Sequence, residues 1–415
     1  MNPAHRAGPG DPRVEQDGAS SEMVDSLVDD LLSAFPPAST AAERFLGAQF
    51  DRGLAWVHFP EGRGGLGLAP SLHLRVVARL AAAGAPTPAA RNVIGYAMVA
   101  PTLLEHGNAE QLDRYLRPLF TGEEIWCQLF SEPGAGSDVA SLATRAVHDG
   151  DEWVVSGQKV WTTVAHLASF GLLLARTDPD VEKHAGISCF LVDMHAPGVD
   201  VRPLYQMTGE AEFNEVFFTE VRVLGSALLG AVGGGWRVAL TTLMHERVAI
   251  GASVAERGGG AIAEAVALFH ERWAGDTSPH AMVLRDRLVR QWVAHEVLRL
   301  TNLRAAERRR AGVPGPEGSV AKLAYAEETK RTADLCVDLM GAEGMLYPSD
   351  YPMVRPEGLL ASSTDVRWLF LRTRARSIEG GTSEVMRNIL GERVLGLPGE
   401  PRSDRDLAWR DLPRS

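Results

Sequence analysis

The sequence predicts an α+β multidomain chain: a helical domain first, an antiparallel β domain in the middle and a helical domain last. Three observations carry this expectation. Apolar residues repeat with a helical period from about Ser21 to Thr121, short alternating runs replace them after Glu124, and the helical period returns at Trp236.

In the first part, Val24, Leu27, Val28 and Leu31 fall at i, i+3, i+4 and i+7, the spacing of one apolar helix face. The stretch Ser71–Gly84 is similar and closes on a glycine, with Pro86 and Pro88 beyond it as stop signals. Thr102–Glu105 and Gln111–Phe120 follow, with Gly107-Asn108 as the break. In the middle, Trp153–Ser156, Gly171–Ala175, Ile187–Val192, Val199–Val201, Glu215–Phe218 and Val221–Leu224 read as strands punctuated by Gly, Pro, Asp and Asn. Ser156-Gly157 reads as a tight turn, and Gly230–Gly235 ends this part. Helices are then expected at Trp236–Glu256, Gly260–Trp273, Met282–Arg310, Ser319–Met340 and Thr382 to about Val394. The expected boundaries are a disordered leader over 1–20, a helical domain over 21–123, a β domain over 124–232, a helical domain over 233–397 and a free, proline-bearing tail over 398–415.

Composition narrows the function classes. With 415 residues, 45% hydrophobic and 23% charged, the chain has material for two or three domains with a large core. A formal charge of −11 argues against non-specific binding to nucleic acid or an anionic membrane. The basic residues are nearly all arginine, with lysine only at Lys159, Lys183, Lys322 and Lys330. Cys127, Cys189 and Cys336 are far apart and odd in number, and so read as reduced cytoplasmic thiols. No apolar run reaches the length of about 18 residues that spans a membrane. The N-terminus carries acids and lacks the apolar core of a signal peptide.

Several motifs fail on inspection. Gly62, Gly64 and Gly67 match GxGxxG, but no clear strand precedes them and no acid follows at the dinucleotide spacing. No lysine follows a glycine, so there is no P-loop, and no serine has glycine on both sides at the nucleophile-elbow spacing. His245-Glu246 begins like HExxH, yet Ala249 stands where the second histidine belongs, and no metal site is expected. Redox chemistry here needs a cofactor held some other way.

Cys127–Asp138 reads CQLFSEPGAGSD, and Gly157–Thr163 reads GQKVWTT. This ordered pair resembles the flavin site of the acyl-CoA dehydrogenase family, and the similarity extends from about Ser21 to Pro398. The resemblance implies an N-terminal helical domain, a middle antiparallel β-barrel and a C-terminal four-helix bundle, with FAD as cofactor. It implies that Gln128, Phe130 and Ser131 line the isoalloxazine, with the Ser131 hydroxyl near N5, where better-known members carry threonine. Gly136 and Ser137 would bring backbone amides and a hydroxyl to the pyrophosphate, and Ser137 would also reach the substrate. Trp161 would pack on the ring and Thr163 would donate to it. Ile378–Leu390 (IEGGTSEVMRNIL) matches a family run that contacts FAD, implicating Thr382 and Glu384. The family's arginine-phenylalanine-glycine element, which reaches a neighbouring subunit's FAD, has no clean counterpart between Glu271 and Arg287.

The activity so implied is α,β-dehydrogenation of an acyl-CoA thioester: a carboxylate removes the α-proton while the β-hydrogen leaves as hydride to flavin N5. Such a base works best with its pKa lifted from about 4.3 towards roughly 6–7, which burial against apolar walls supplies. Two glutamates compete. Glu379 lies in the run that often provides the base, but the extra glycine in Glu379-Gly380-Gly381-Thr382 puts Gly380 at that position. Glu246, immediately before Arg247, matches the pair from which the long-chain and isovaleryl members take their base. Its helical neighbours are Leu243, Ala249, Thr242, Ile250, Ala239 and Ser253, a small and mostly apolar face. Glu246 is the expected base and Glu379 the alternative; Arg247 is expected to help place the substrate, while Met244 stands where an acidic partner is often seen. The resemblance also implies an electron-transferring flavoprotein as acceptor and a homo- or hetero-oligomer, tetramer or dimer. An oxidase or flavin hydroxylase on the same fold and a non-catalytic subunit of a mixed tetramer are the competing readings.

Overall fold

The computed structural model describes residues 12–251, 256–310, 315–347, 353–356, 365–401, 404 and 407–412, the side chains of 12–18, 247–251 and 309–310 excepted. The chain divides into two compact units. One runs through Trp126 and takes in Ala168–Phe170; the other consists of Cys127–Leu167 and the chain from Gly171 onward.

The first unit is helical, with α1 (Pro12–Ala34), α2 (Ala42–Asp51), α3 (Pro70–Ala82), α4 (Pro88–Ile94), α5 (Ala100–His106) and α6 (Ala109–Thr121). Val24, Val28 and Leu31 of α1 are fully buried, as the spacing requires. The helix starts at Pro12, so its first turns lie in the stretch expected to be a disordered leader. The break at Gly107-Asn108 is a helix start: the Asn108 side chain accepts the Gln111 N–H at 2.8 Å, and the Gln111 side chain accepts the Asn108 N–H at 3.1 Å. Trp56 stacks on Phe59 at 4.8 Å and on Tyr96 at 5.4 Å within the unit's aromatic core. Ala168–Phe170 join this unit because the Ser169 N–H donates to the Ile125 carbonyl at 2.8 Å and Phe170 stacks on Trp126 at 5.2 Å.

The second unit combines a sheet with helices. The strands are β1 (Trp126–Leu129), β2 (Arg145–Asp149), β3 (Glu152–Thr163), β4 (Phe170–Arg176), β5 (Ile187–Asp193), β6 (Val199–Leu204), β7 (Phe213–Leu224) and β8 (Leu228–Leu229). They lie in the order β6-β7-β3-β2-β4-β5-β8, with β1 paired to β4. The sheet is mixed, which corrects the expectation of an antiparallel domain: β2 and β4 run parallel, meeting at Arg145 and Arg176. The cause is topological. β3 reverses onto one edge of β2, and a chain that reverses once more to reach the other edge must run parallel to β2.

The turn expected at Ser156-Gly157 is also replaced. β3 runs straight through it, with a register shift against β7 between Val155 and Gly157 that leaves Thr219 and Glu220 opposite Ser156. This is a bulge in β7, and Glu220 takes a left-handed φ of 51° there. A Cβ on Gly157 would lie 2.7 Å from the Thr144 Cα, so this glycine permits a close approach of β2 and β3.

The later helices are α7 (Gly235–Gly251), α8 (Ala261–Trp273), α9 (Pro279–Arg310), α10 (Glu317–Met340), α11 (Val366–Thr373) and α12 (Ser383–Ile389), the last continued by a π-helical turn over Leu390–Val394. α10 packs against α7, α8, α9, α11 and α12. Phe269, Leu284, Leu288, Leu335 and Leu339 meet in the core of this region. The short α11 escaped the sequence reading because eight residues hold too few helical repeats to distinguish them from an apolar strand. Among the described residues, no helix is long and apolar enough to cross a membrane. Cys127, Cys189 and Cys336 are free and buried, and burial pushes their thiols up, so they are poor nucleophiles.

The described part of the tail around Trp409 is docked. The Trp409 ring lies 4.7 Å from the Arg176 guanidinium, its indole N–H donates to the Ser141 carbonyl at 3.3 Å, and its backbone N–H donates to the Val181 carbonyl at 2.8 Å. Arg410 pairs with Asp180 at 2.8 Å. Polar, proline-bearing composition pointed to a free tail, but one aromatic side chain with a cation and a carbonyl to meet is enough to dock it.

Candidate functional site

The two motifs of the middle region face each other. β1 and the loop after it carry Gln128, Phe130 and Ser131, β3 carries Trp161 and Thr163, and the Val160 N–H donates to the Ser131 carbonyl at 2.9 Å. Phe130 is buried, while Gln128, Ser131 and Thr163 are half-buried. Trp161 is 57% exposed and adopts a left-handed φ of 59°, with Phe213 edge-on to its ring at 5.9 Å. Bulky residues rarely take that backbone, and such strain gathers at ligand sites. Gly136 and Ser137 are exposed, and a Cβ on Gly134 or Gly136 would meet nothing within 4 Å. The buried Thr162 hydroxyl makes no hydrogen bond among the described residues. An aromatic platform, half-buried hydroxyls and an open glycine loop fit the ring, the polar edge and the phosphate end of a flavin.

Beneath this surface lies a buried ion pair. Lys159 is fully buried and donates to Glu132 Oε1 at 2.8 Å and to the Phe130 carbonyl at 3.0 Å. Glu132 also accepts the Ala143 and Thr144 N–H groups at 2.7 and 2.9 Å. Burial alone would raise the Glu132 pKa, but the Lys159 charge and these hydrogen bonds outweigh it and hold the carboxyl below its ordinary range. Burial pushes Lys159 down, against the pull of Glu132. The sequence reading assigned neither residue a role. The available signal was scarcity: lysine occurs only four times in an arginine-rich chain, and Lys159 and Lys322 are both buried beside site segments.

The C-terminal segment is anchored similarly. Lys322 donates to the Arg376 carbonyl at 3.0 Å and to the Gly381 carbonyl. Gly380 and Gly381 take left-handed φ values of 64° and 91°, a conformation that suits glycine. Thr382 caps α12, its hydroxyl accepting the Val385 N–H at 3.1 Å, and Glu384 is exposed beside Arg387 at 3.4 Å. A cavity of about 600 Å³ is lined by Asp138 and Ser141 on one side and by Val385 and Asn388 of α12 on another. The loop after Ser137 and the first turns of α12 thus share one space.

The two candidate bases differ in setting. Glu246 is half-buried on α7, and Ala239 and Thr242 of the same face are fully buried. The side chains of Arg247, Ala249 and Ile250, together with Ser253, lie outside the described residues. Glu379 is held by Arg372, which donates to both carboxylate oxygens at 3.1 Å. Arg372 also lies 3.5 Å from Glu212, an acid the sequence reading missed. Glu212 is 3% exposed, and burial raises its pKa against the opposing charge of Arg372, with Glu210 and Glu379 adding to the rise. The Arg372 guanidinium is 5.8 Å from the Phe213 ring, which touches Trp161 in turn.

Comparison with known proteins shows the family. Acyl-CoA dehydrogenase N-terminal, middle and C-terminal domain families match residues 33–123, 127–221 and 233–395 in turn. The acyl-CoA dehydrogenase IpdE1 of Mycobacterium tuberculosis is 39% identical across 84% of this chain and 86% of its own length. The chain belongs to the acyl-CoA dehydrogenase family. Members of this acyl-CoA dehydrogenase family are FAD-dependent oxidoreductases, so FAD is the cofactor. A solved structure described as the Tcur3481-Tcur3483 steroid ACAD is 27% identical, with a TM-score of 0.68 over 92% of this chain and 98% of that one. The ChsE4-ChsE5 complex from Mycobacterium tuberculosis is 27% identical, with a TM-score of 0.67 over 91% of this chain and 98% of that one.

Proposed function

We propose that this acyl-CoA dehydrogenase removes the α-proton of an acyl-CoA thioester with Glu246 and yields the trans-2-enoyl-CoA. The observation that favours Glu246 is the fate of its rival: both oxygens of Glu379 are taken up by Arg372 at 3.1 Å. One Arg372 nitrogen donates to both of these oxygens, which fixes the carboxylate in direction and suits a structural role better than that of a base. Glu246 instead sits half-buried on α7, on the face of the fully buried Ala239 and Thr242, where exclusion of water suits a carboxylate that must take up a proton. Arg247 and Ser137 place the thioester end. Gln128, Phe130, Ser131, Trp161 and Thr163 hold the ring, while Gly136, Ser137, Thr382 and Glu384 serve the rest of the cofactor. FAD, when bound, supplies the hydride acceptor and the electron store that an electron-transferring flavoprotein drains. The middle sheet corresponds in this reading to the family's β-barrel, and the helices around α10 to its four-helix bundle.

The test is Glu246→Gln. Turnover of a good acyl-CoA substrate is expected to fall about 10²–10⁴-fold, with FAD content unchanged; near-normal turnover would remove Glu246 from the role. Similarity to a steroid ACAD favours a bulky, ring-bearing acyl group. On α9, Val289, Val293, Val297 and Leu300 are exposed at helical spacing, an apolar stripe that suits an oligomer interface. The similarity to the ChsE4-ChsE5 complex supports a second, non-identical chain as partner. Anaerobic bleaching of the flavin by acyl-CoA in the single purified chain distinguishes a complete enzyme from a subunit that needs that partner. Peroxide yield set against dye reduction distinguishes a dehydrogenase from an oxidase.

A further inference from the structure

We propose that the buried Glu132–Lys159 pair is a positioning device for the flavin, setting the distance between the ring wall and the Gly136-Ser137 loop. The proposal rests on the flavin-site reading above and assigns a role to two motif residues that it leaves unused.

Glu132 holds both feet of that loop. Its backbone exchanges two hydrogen bonds of 3.0 Å with Ala135, closing a tight turn at the near foot. Its carboxylate accepts the Ala143 and Thr144 N–H groups at 2.7 and 2.9 Å, pinning the far foot. Between the feet, Gly134, Gly136 and Ser137 are exposed. Lys159 then ties the same carboxylate to the ring wall, donating to Glu132 at 2.8 Å and to the Phe130 carbonyl at 3.0 Å. The next residue, Val160, bonds the Ser131 carbonyl at 2.9 Å, and Trp161 follows. One buried charge pair therefore serves as the common reference for two surfaces that meet opposite ends of one cofactor.

Net stability is a poor explanation for such a pair. Two apolar side chains of similar volume would often serve as well, because both ions give up their hydration on burial. What an apolar pair cannot supply is direction: bonds to one carbonyl and two amides at fixed places. A cofactor gripped at both ends binds tightly only when the grips are held at its own length, and slack between them forfeits the gain of the second contact. Neither residue is assigned a contact with the flavin, so both act through the loop and the wall.

The experiment uses the full-length chain, freed of flavin and titrated with FAD. In Glu132→Leu/Lys159→Met both members of the pair are removed together, so neither is left as the unpaired ion of a broken pair. The expected result is cooperative melting of the apoprotein, a Kd for FAD raised about 10-fold or more, as for other supporting shells, and loss of the resolved shoulders of the oxidised flavin band. Ala143→Pro tests the far foot with both charged residues retained. Leu142 at φ −50° and ψ 144° already has the backbone that precedes proline, and the change replaces the N–H donated to Glu132 by a ring carbon, which breaks that bond and pushes the foot away from the carboxylate. A smaller rise in Kd is expected. Wild-type affinity and spectrum in both variants overturn the proposal, and if the double variant fails to fold, wild-type affinity in Ala143→Pro overturns it alone. A wild-type chain that takes up no FAD, with or without a partner chain, overturns the flavin-site reading itself.

Discussion

Glu132 and Glu212 are buried almost equally, at 8% and 3% exposure, yet they depart from the ordinary carboxylate range in opposite directions. Burial raises both. For Glu132 the Lys159 charge and the bonds from Lys159, Thr144 and Ala143 reverse the rise, so its pKa is lowered. For Glu212 the opposing Arg372 lies at 3.5 Å and is shared with Glu379, while Glu210 and Glu379 add like charge, so its pKa stays raised. Burial sets the cost of the charge in both places, and the partners decide the outcome. The ring wall is built around a committed ion pair, whereas the region between Phe213 and α11 is built around a cation that two acids divide.

This contrast can be broken by substitution. Lys159→Met strands the Glu132 carboxylate, and a loss of about 3–5 kcal/mol is expected in urea unfolding; a loss below roughly 1 kcal/mol would mean that Glu132 does not depend on its partner. Arg372→Gln should cost less, about 1–3 kcal/mol, because the Glu212 pKa is already raised by burial, so this carboxyl sheds its charge more readily than Glu132 does. Equal losses from the two variants would abolish the distinction. Stability against pH separates them by sign. The Glu132 contribution is present above the unfolded carboxylate pKa of about 4.3 and is lost as pH falls through its lower folded value, so Glu132→Gln should flatten the acid limb of the Tm profile. The Glu212 contribution is present below about 4.3 and is lost as pH rises through its raised folded value, so Glu212→Gln should gain stability at neutral pH relative to acid. The smallest effect belongs to Glu379→Gln. Turnover should stay within about threefold of wild type, far from the drop of about 10²–10⁴ that removal of a general base produces, and Glu212 should titrate lower once Arg372 is no longer shared.

Much of the candidate site was legible before the fold. Trp161, Ser131 and the Gly136-Ser137 loop stand out by motif, and the structure gives Trp161 the exposure and strained backbone of a ligand platform. The acids and cations that hold them were not legible. Glu132 and Lys159 sit inside the quoted motifs, but nothing local distinguishes a motif residue that touches a ligand from one that braces it. Ser156-Gly157 has the composition of a turn, yet the pairing of β3 with β7 draws it into a strand because the ladder continues on both sides. Trp409 lies in a segment whose composition favours disorder, and Arg176 and the Ser141 carbonyl give its ring a place to dock.

By itself the sequence determined the succession of helical and β-rich parts, most of the long helices, the flavin motifs and the two glutamates that compete as base. These are read from side chains that act within one turn or one pleat of each other, where backbone geometry alone dictates which residues share a face. Only the tertiary structure decided the parallel link between β2 and β4, the capture of Glu379 by Arg372, the burial of Glu212 and the docking of the tail. The capture of Glu379 spans only seven residues but needs the turn between α11 and α12, whereas the other features join groups far apart in the chain, with 268 residues separating Ser141 from Trp409. A charge or a ring finds its partner through the topology that brings distant segments together, and the energy of that meeting is set by how much water the fold excludes from it.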